Sequence, residues 1–261
     1  AGVAVSPLSV TIAGKSYREF DEITSEEFVA IIRQGHMPTS SQPAIGEVEE
    51  LYARYNGEEI INVAMASGLS GTYNSAVAAA QLSENSENIS VLNTRTLCGP
   101  HRYMVEAAVK LAKAGATLTE IKEKVHALME TDISFLIPSD FDYLRRGGRL
   151  SPLVSLVGKT IKLAPVLTQS KDGRQLVMST VSRSFKLAIK HVIKELTAWG
   201  VEKGWRIYVV HSAASGLAES ARAQLTEAFP EATLEVLPLT PVFTTQGGPG
   251  CVAVQYIKME Y

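Results

Sequence analysis

Short apolar runs with strand-like spacing alternate along this chain with segments whose apolar residues recur at helical spacing. Such a chain has to bury sheet faces beneath helices, so the expected fold class is α/β. Strands are expected at Ile60 to Ala64, Ile89 to Leu92, Ile133 to Ile137, Ile207 to Val210, Thr233 to Leu237 and Val252 to Ile257. Between them lie helical patterns with recognisable starts. Thr24-Ser25-Glu26-Glu27 and Thr117-Leu118-Thr119-Glu120 are capping boxes, in which the Thr oxygen and the Glu carboxylate each satisfy a backbone N–H of the first turn. Phe28, Ile31 and Ile32 follow the first box on one face, and Ile121, Val125 and Leu128 follow the second. Further helices are expected around Val48 to Tyr55, from Tyr73 to Gln81, through Met104, Ala108 and Leu111, from Ser184 to Trp199 and from Leu217 to Phe229.

Other segments read as connections. Val3 to Ile12 is expected to be extended and closed by a turn at Ala13-Gly14. Ile161 to Leu167 and Leu176 to Val181 read as a hairpin around Asp172-Gly173. Arg145-Arg146-Gly147-Gly148-Arg149 reads as a basic glycine turn, and a domain boundary is expected beside it. Residues 1–148 would form an N-terminal α/β domain with a parallel-type sheet, and residues 149–261 a C-terminal domain with a mixed sheet.

Composition narrows the function. A formal net charge of −2 over 261 residues lacks the basic excess of a nucleic-acid binder. No apolar run approaches the ~18 residues of a membrane span, so no stable membrane anchoring is expected. The two cysteines, Cys98 and Cys251, form no CxxC pair and suit buried thiols in a reducing compartment, so the expected location is cytoplasmic. No metal-ligand spacing occurs, and no cofactor is expected. Gly158-Lys159-Thr160 has the tail of a phosphate-binding loop, but Leu153 stands where its first glycine is required.

Gly68-Leu69-Ser70-Gly71-Thr72 resembles a nucleophile elbow, yet Thr72 occupies the position of the final glycine. An esterase or acyl-transfer enzyme using Ser70 is therefore the alternative reading. A simpler one makes Ser70 or Thr72 the N-cap of the Ala-rich helix, whose free N–H groups would favour an anion. Thr39-Ser40-Ser41-Gln42-Pro43 is a second hydroxyl-rich loop before a helix. The two loops together could receive one carboxylate.

These segments, in this order, resemble the DegV family. Ser40-Ser41-Gln42-Pro43 resembles its TSQP motif, and Ser67-Gly68-Leu69-Ser70-Gly71-Thr72-Tyr73 its SSGLSGTY motif. Tyr143-Leu144-Arg145-Arg146-Gly147-Gly148-Arg149-Leu150-Ser151 is similar to its YLRKGGRIS segment, and Gly248-Pro249-Gly250 to its C-terminal GPG. The resemblance implies two α/β domains and one buried long-chain fatty acid, palmitate- or oleate-like. It implies a carrier rather than an enzyme, one that presents its cargo to a fatty-acid kinase for acyl-phosphate formation. Ser40 and Ser70 would hold the carboxylate, with Ser41, Ser67, Gly68, Gly71 and Thr72 around them. Gln246 would lie at the head group where the family usually has His. Arg145, Arg146 and Arg149 would form a basic patch for the kinase. The family's opening strand, with its DS-x-x-DL motif, is absent, so the native first strand is expected to be missing; Ala164 replaces the Lys of its IKPIL strand. Burying about fifteen methylenes yields roughly 12 kcal/mol gross, against ~1.5–3 kcal/mol for a charge-assisted head-group bond. An apolar pocket should set affinity and the hydroxyls orientation.

Overall fold

The computed structural model describes residues 3–152, 163–170 and 172–259. Its centre is a six-stranded mixed sheet in the order β10-β9-β11-β6-β7-β8. The strands are β6 (Ile133–Ile137), β7 (Ala164–Gln169), β8 (Leu176–Ser182), β9 (Trp205–His211), β10 (Thr233–Pro238) and β11 (Val252–Lys258). β9 and β10 run parallel, and β11 pairs antiparallel with both β9 and β6. Helices cover both faces, so the central strands read as continuous apolar runs. Side chains alternate between the faces. Ile207, Val209, Val252 and Val254 pack under α7 (Phe185–Ala198) and α8 (Ser215–Ala228). Tyr208, Val210, Cys251 and Ala253 point the other way, toward α4 (Cys98–Lys113) and α5 (Leu118–Met129). Gly99 allows α4 to approach closely, since a Cβ there would lie 2.3 Å from the Tyr208 ring.

Two smaller sheets complete the fold. β4 (Ile60–Ala64) and β5 (Ile89–Asn93) form a parallel pair. β2 (Lys15–Arg18), β1 (Ser9–Ile12) and β3 (Thr39–Ser41) form an antiparallel sheet in that order. The remaining helices are α1 (Ser25–Arg33), α2 (Ile45–Ala53), α3 (Thr72–Leu82), α6 (Phe141–Gly147) and α9 (Pro241–Gly247). The expected boundary after residue 148 falls between α6 and β7, while β6, ahead of it, is an interior strand of the large sheet.

Both capping boxes form: Thr24 Oγ1 accepts from Glu27 N at 3.2 Å, and Thr117 Oγ1 from Glu120 N at 3.3 Å. The Glu carboxylates accept in return from the Thr backbones. Within the extended Val3 to Ile12 segment, Ser9–Ile12 is strand β1. Several local expectations are corrected. The Thr39–Ser41 loop is strand β3, because Val10 and Ser40 pair across the antiparallel ladder. Residues 145–147 are not a turn but the end of helix α6, which Asp140 caps by accepting from Asp142 N at 2.8 Å. Gly148, at φ 70°, ends it in the left-handed conformation that glycine tolerates. The hairpin at Asp172-Gly173 is present, but β7 begins at Ala164, and Ile161 and Lys162 lie outside the described residues. So does the Gly158-Lys159-Thr160 segment. No helix among the described residues is long and apolar enough to cross a membrane.

Candidate functional site

The Ser67–Thr72 segment leaves β4 as a compact turn. Leu69 N and Ser70 N both donate to Ala66 O, at 3.1 and 3.0 Å, and Ala66 N donates to Thr96 O at 2.9 Å. Ser67 is tied to β5, with its N–H on Asn93 Oδ1 and its hydroxyl accepting from Asn93 Nδ2. The N-cap of α3 is Gly71, with no side-chain cap, which corrects the expectation that Ser70 or Thr72 would take that role. Ser70 Oγ instead lies 2.8 Å from Thr72 Oγ1 and accepts from Thr72 N at 3.3 Å.

The two glycines of this turn are required by their neighbours. A Cβ on Gly68 would sit 2.2 Å from Arg174 Cα, so the turn presses against the β7–β8 hairpin. A Cβ on Gly71 would fall on the Gln42 amide, which donates to Ser75 Oγ at 2.6 Å. Gln42 thereby locks the β3 segment onto the start of α3. On the same segment Ser40 Oγ accepts from Gln246 Nε2 at 3.0 Å. The Gln246 Oε1 atom is buried, has no partner among the described residues and occupies the space where a Gly147 Cβ would be.

Ser40, Ser41, Ser70, Gly71 and Gln246 all border one cavity of about 410 Å³. That lies within the range of about 300–1,000 Å³ usual for small-molecule sites. Its walls are largely aliphatic and aromatic, with Leu8, Met65, Leu136, Leu167 and Phe243 among them. Ser67, Gly68 and Thr72 support the turn behind this lining, through the contacts to Asn93, the hairpin and Ser70. Three elements remote in sequence supply Ser40, Ser41, Ser70, Gly71 and Gln246: β3, the β4–α3 turn and α9. Glu19 holds the start of α9 by accepting from Val242 N at 3.0 Å. Burial raises its carboxyl above the usual range, against the lowering effect of Thr240 and the Val242 N–H.

The three arginines separate. Arg146 is exposed on α6, and Arg145 pairs with Asp142 at 3.1 Å. Arg149 turns inward: its Nε donates to Leu69 O at 3.0 Å, its guanidinium also bonds Gly147 O, and the side chain borders the cavity. A cation is thus held against the carbonyl next to Ser70. Motif position alone had grouped it with Arg145 and Arg146; the contact with Leu69 spans 80 residues. The site's other unforeseen members are Thr96, Ser134, Gln169 and Gln255. A signal for two of them existed, because Ser134 and Gln255 interrupt otherwise apolar strands.

Among the described residues no histidine is bonded to Ser70. His101 is on Val63 O, His191 on Ser179 and His211 on Ala214 N. Burial raises the Cys98 thiol well above its ordinary value, with Cys251 and Glu19 adding to the effect, and pushes Cys251 up to about 12. Neither is poised as a thiolate nucleophile.

The family model described as "DegV: Uncharacterised protein, DegV family" matches residues 1–259. The chain belongs to the DegV family. Among the relatives of this DegV protein, a DegV domain-containing protein of Staphylococcus aureus (strain N315) is 31% identical over 259 residues, covering 98% of this chain and 91% of the other. One from Listeria monocytogenes (strain EGD-e) is 30% identical over 260 residues, covering 97% and 90%. Solved structures share the DegV fold. A fatty-acid-binding DegV family protein of Thermus thermophilus superposes with a TM-score of 0.87 at 27% identity, covering 99% of this chain and 92% of that one. DegV of Bacillus subtilis, a fatty acid binding protein, has a TM-score of 0.84 at 26% identity, covering 97% and 90%.

Proposed function

We propose that this protein binds one long-chain fatty acid non-covalently and presents it to a fatty-acid kinase, doing no chemistry itself, in the cytoplasm. The observation that carries the reading is a single apolar cavity bordered by Ser40, Ser70, Gln246 and Arg149. That composition matches the two ends of a fatty acid. Aliphatic walls suit an acyl chain, at about 0.8 kcal/mol per buried methylene. Two hydroxyls and a guanidinium suit a carboxylate, which accepts charge-assisted hydrogen bonds. The relatives from Thermus thermophilus and Bacillus subtilis, described as fatty-acid-binding, support the same ligand class. Delivery to a kinase rests on the motif resemblance, and exposed Arg146 suits docking to an acidic surface.

Native mass spectrometry of freshly purified protein tests the ligand. A non-covalent increment equal to one fatty acid is expected, lost on denaturation. An empty protein that hydrolyses p-nitrophenyl esters in a Ser70-dependent way would overturn the reading in favour of an esterase.

A further inference from the structure

The cavity has a second set of polar groups that a plain acyl chain leaves unused. They lie where the sheet meets the loop before α4. Gln255 and Ser134 are register partners on β11 and β6, on the face that carries Ala253 and Leu136. Gln255 is only 1% exposed and fully engaged. Its Oε1 accepts from Gly99 N at 3.1 Å, and its Nε2 donates to Leu97 O at 3.1 Å and to Ser134 Oγ at 2.8 Å. Because Ser134 Oγ accepts from the amide, its own O–H proton is left to donate elsewhere. Thr96, next to the Leu97 that Gln255 holds, is 1% exposed and borders the cavity. Its Oγ1 lies beside the Asp132 carboxyl but makes no properly aligned hydrogen bond among the described residues.

A buried hydroxyl without an aligned partner, as at Thr96, is costly, and native interiors rarely keep one without cause. A saturated chain would press methylenes against it and against the unused Ser134 proton. Resting on the fatty-acid reading above, we propose that the cavity is built for an acyl chain carrying a hydroxyl group, received by Thr96 and Ser134. A hydroxyl fits this pair better than a keto oxygen, because it can accept from Ser134 and donate to Thr96 at once. The pair is close to the carboxylate end along the backbone. Ala66 donates to Thr96 O and accepts from Ser70 N, so one residue links the two polar sets. That places the ligand hydroxyl in the half of the chain nearer the carboxylate.

The test is competition on delipidated protein, read by native mass spectrometry. Octadecanoic acid competes at equal concentration with hydroxyoctadecanoic acids substituted near the carboxyl, at mid-chain and toward the methyl end. An acid hydroxylated near the carboxyl or at mid-chain should be preferred by about tenfold, the order of one hydrogen bond gained in a buried site. A preference for the acid hydroxylated toward the methyl end would overturn the placement. Thr96→Val, nearly isosteric, should abolish the preference between hydroxylated and plain acid. Ser134→Ala should weaken it and serves as a second arm. Equal or better binding of octadecanoic acid by the wild type would overturn the proposal, with bound water then satisfying the two hydroxyls. So would a preference that survives both substitutions. Failure to bind any of the acids would instead overturn the fatty-acid reading, and this proposal with it.

Discussion

Ser70 and Ser40 border one cavity only because their neighbours hold them there. Ser70 Oγ is oriented by Thr72 through both its hydroxyl and its N–H, and Ser40 Oγ by Gln246. If Ser70 holds the carboxylate as proposed, Ser70→Ala removes one charge-assisted bond to the head group, about 1.5–3 kcal/mol. Fatty-acid retention in a delipidation assay should fall by roughly one to two decades. A second residue-scale prediction concerns Asp132. Burial pushes its carboxyl up to about 7, against the lowering pull of Thr96 and Arg95. In the unfolded chain an Asp ionises near ~3.9. Between those two values the native state holds a proton that the unfolded state has lost, so stability falls as pH rises through that window and levels off above it. Asp132→Asn has no such proton to lose. In urea melts the wild type should lose more than ~1 kcal/mol relative to the variant between about pH 4 and about pH 7.5. Parallel profiles for the two proteins would show that Asp132 ionises normally.

At the scale of elements, the sequence carried start and stop signals wherever they were local. The two capping boxes were legible because donor and acceptor lie three residues apart. Helix α6 was not, although Asp140 and Gly148 bracket it in the sequence. It spans seven residues, too few for a hydrophobic period to show, and it is held by burial of Leu144. Helix α9 is as short and depends on Glu19, more than two hundred residues away. The β4–α3 turn makes its own prediction. Gly68 has backbone at 2.2 Å from any added Cβ, so nothing flexible can yield. Gly68→Ala should push the turn off the hairpin, move Ser70, and lower lipid retention as much as Ser70→Ala does. Gly71→Ala meets only the Gln42 side chain, which can rotate away, and should be milder. Lipid content of the two variants after identical purification separates these outcomes.

At the scale of the molecule, the cavity lies between the large sheet and the elements of the chain's first half, so the ligand would be a shared part of the core. Exposed and inward-facing arginines should then behave differently. Charge reversal at Arg146 is expected to leave lipid content unchanged and to cut acyl-phosphate formation with purified kinase, more at low salt than at high. Arg149→Glu places a carboxylate in the cavity lining, beside the proposed head-group site, and is expected to empty the cavity. Mass spectrometry for cargo and turnover for docking read the two effects apart. Retained lipid in Arg149→Glu would remove that arginine from the binding site.

The α/β class, most element positions and the hydroxyl-rich turns were set by short-range patterns: apolar period, caps and turn residues acting within a few positions. Family membership, too, was legible, because its motifs are contiguous stretches such as Ser67 to Tyr73. Tertiary structure alone decided which of those stretches meet. Gln246 reaches Ser40 across 206 residues, and Arg149 reaches Leu69 across 80. It also decided that Ser134 and Gln255 face a cavity rather than solvent. A polar residue in an apolar strand states that a partner is needed. Only the pairing of β6 with β11 and the seating of α4 supply that partner, because strand register and helix packing are set by burial summed over the whole core.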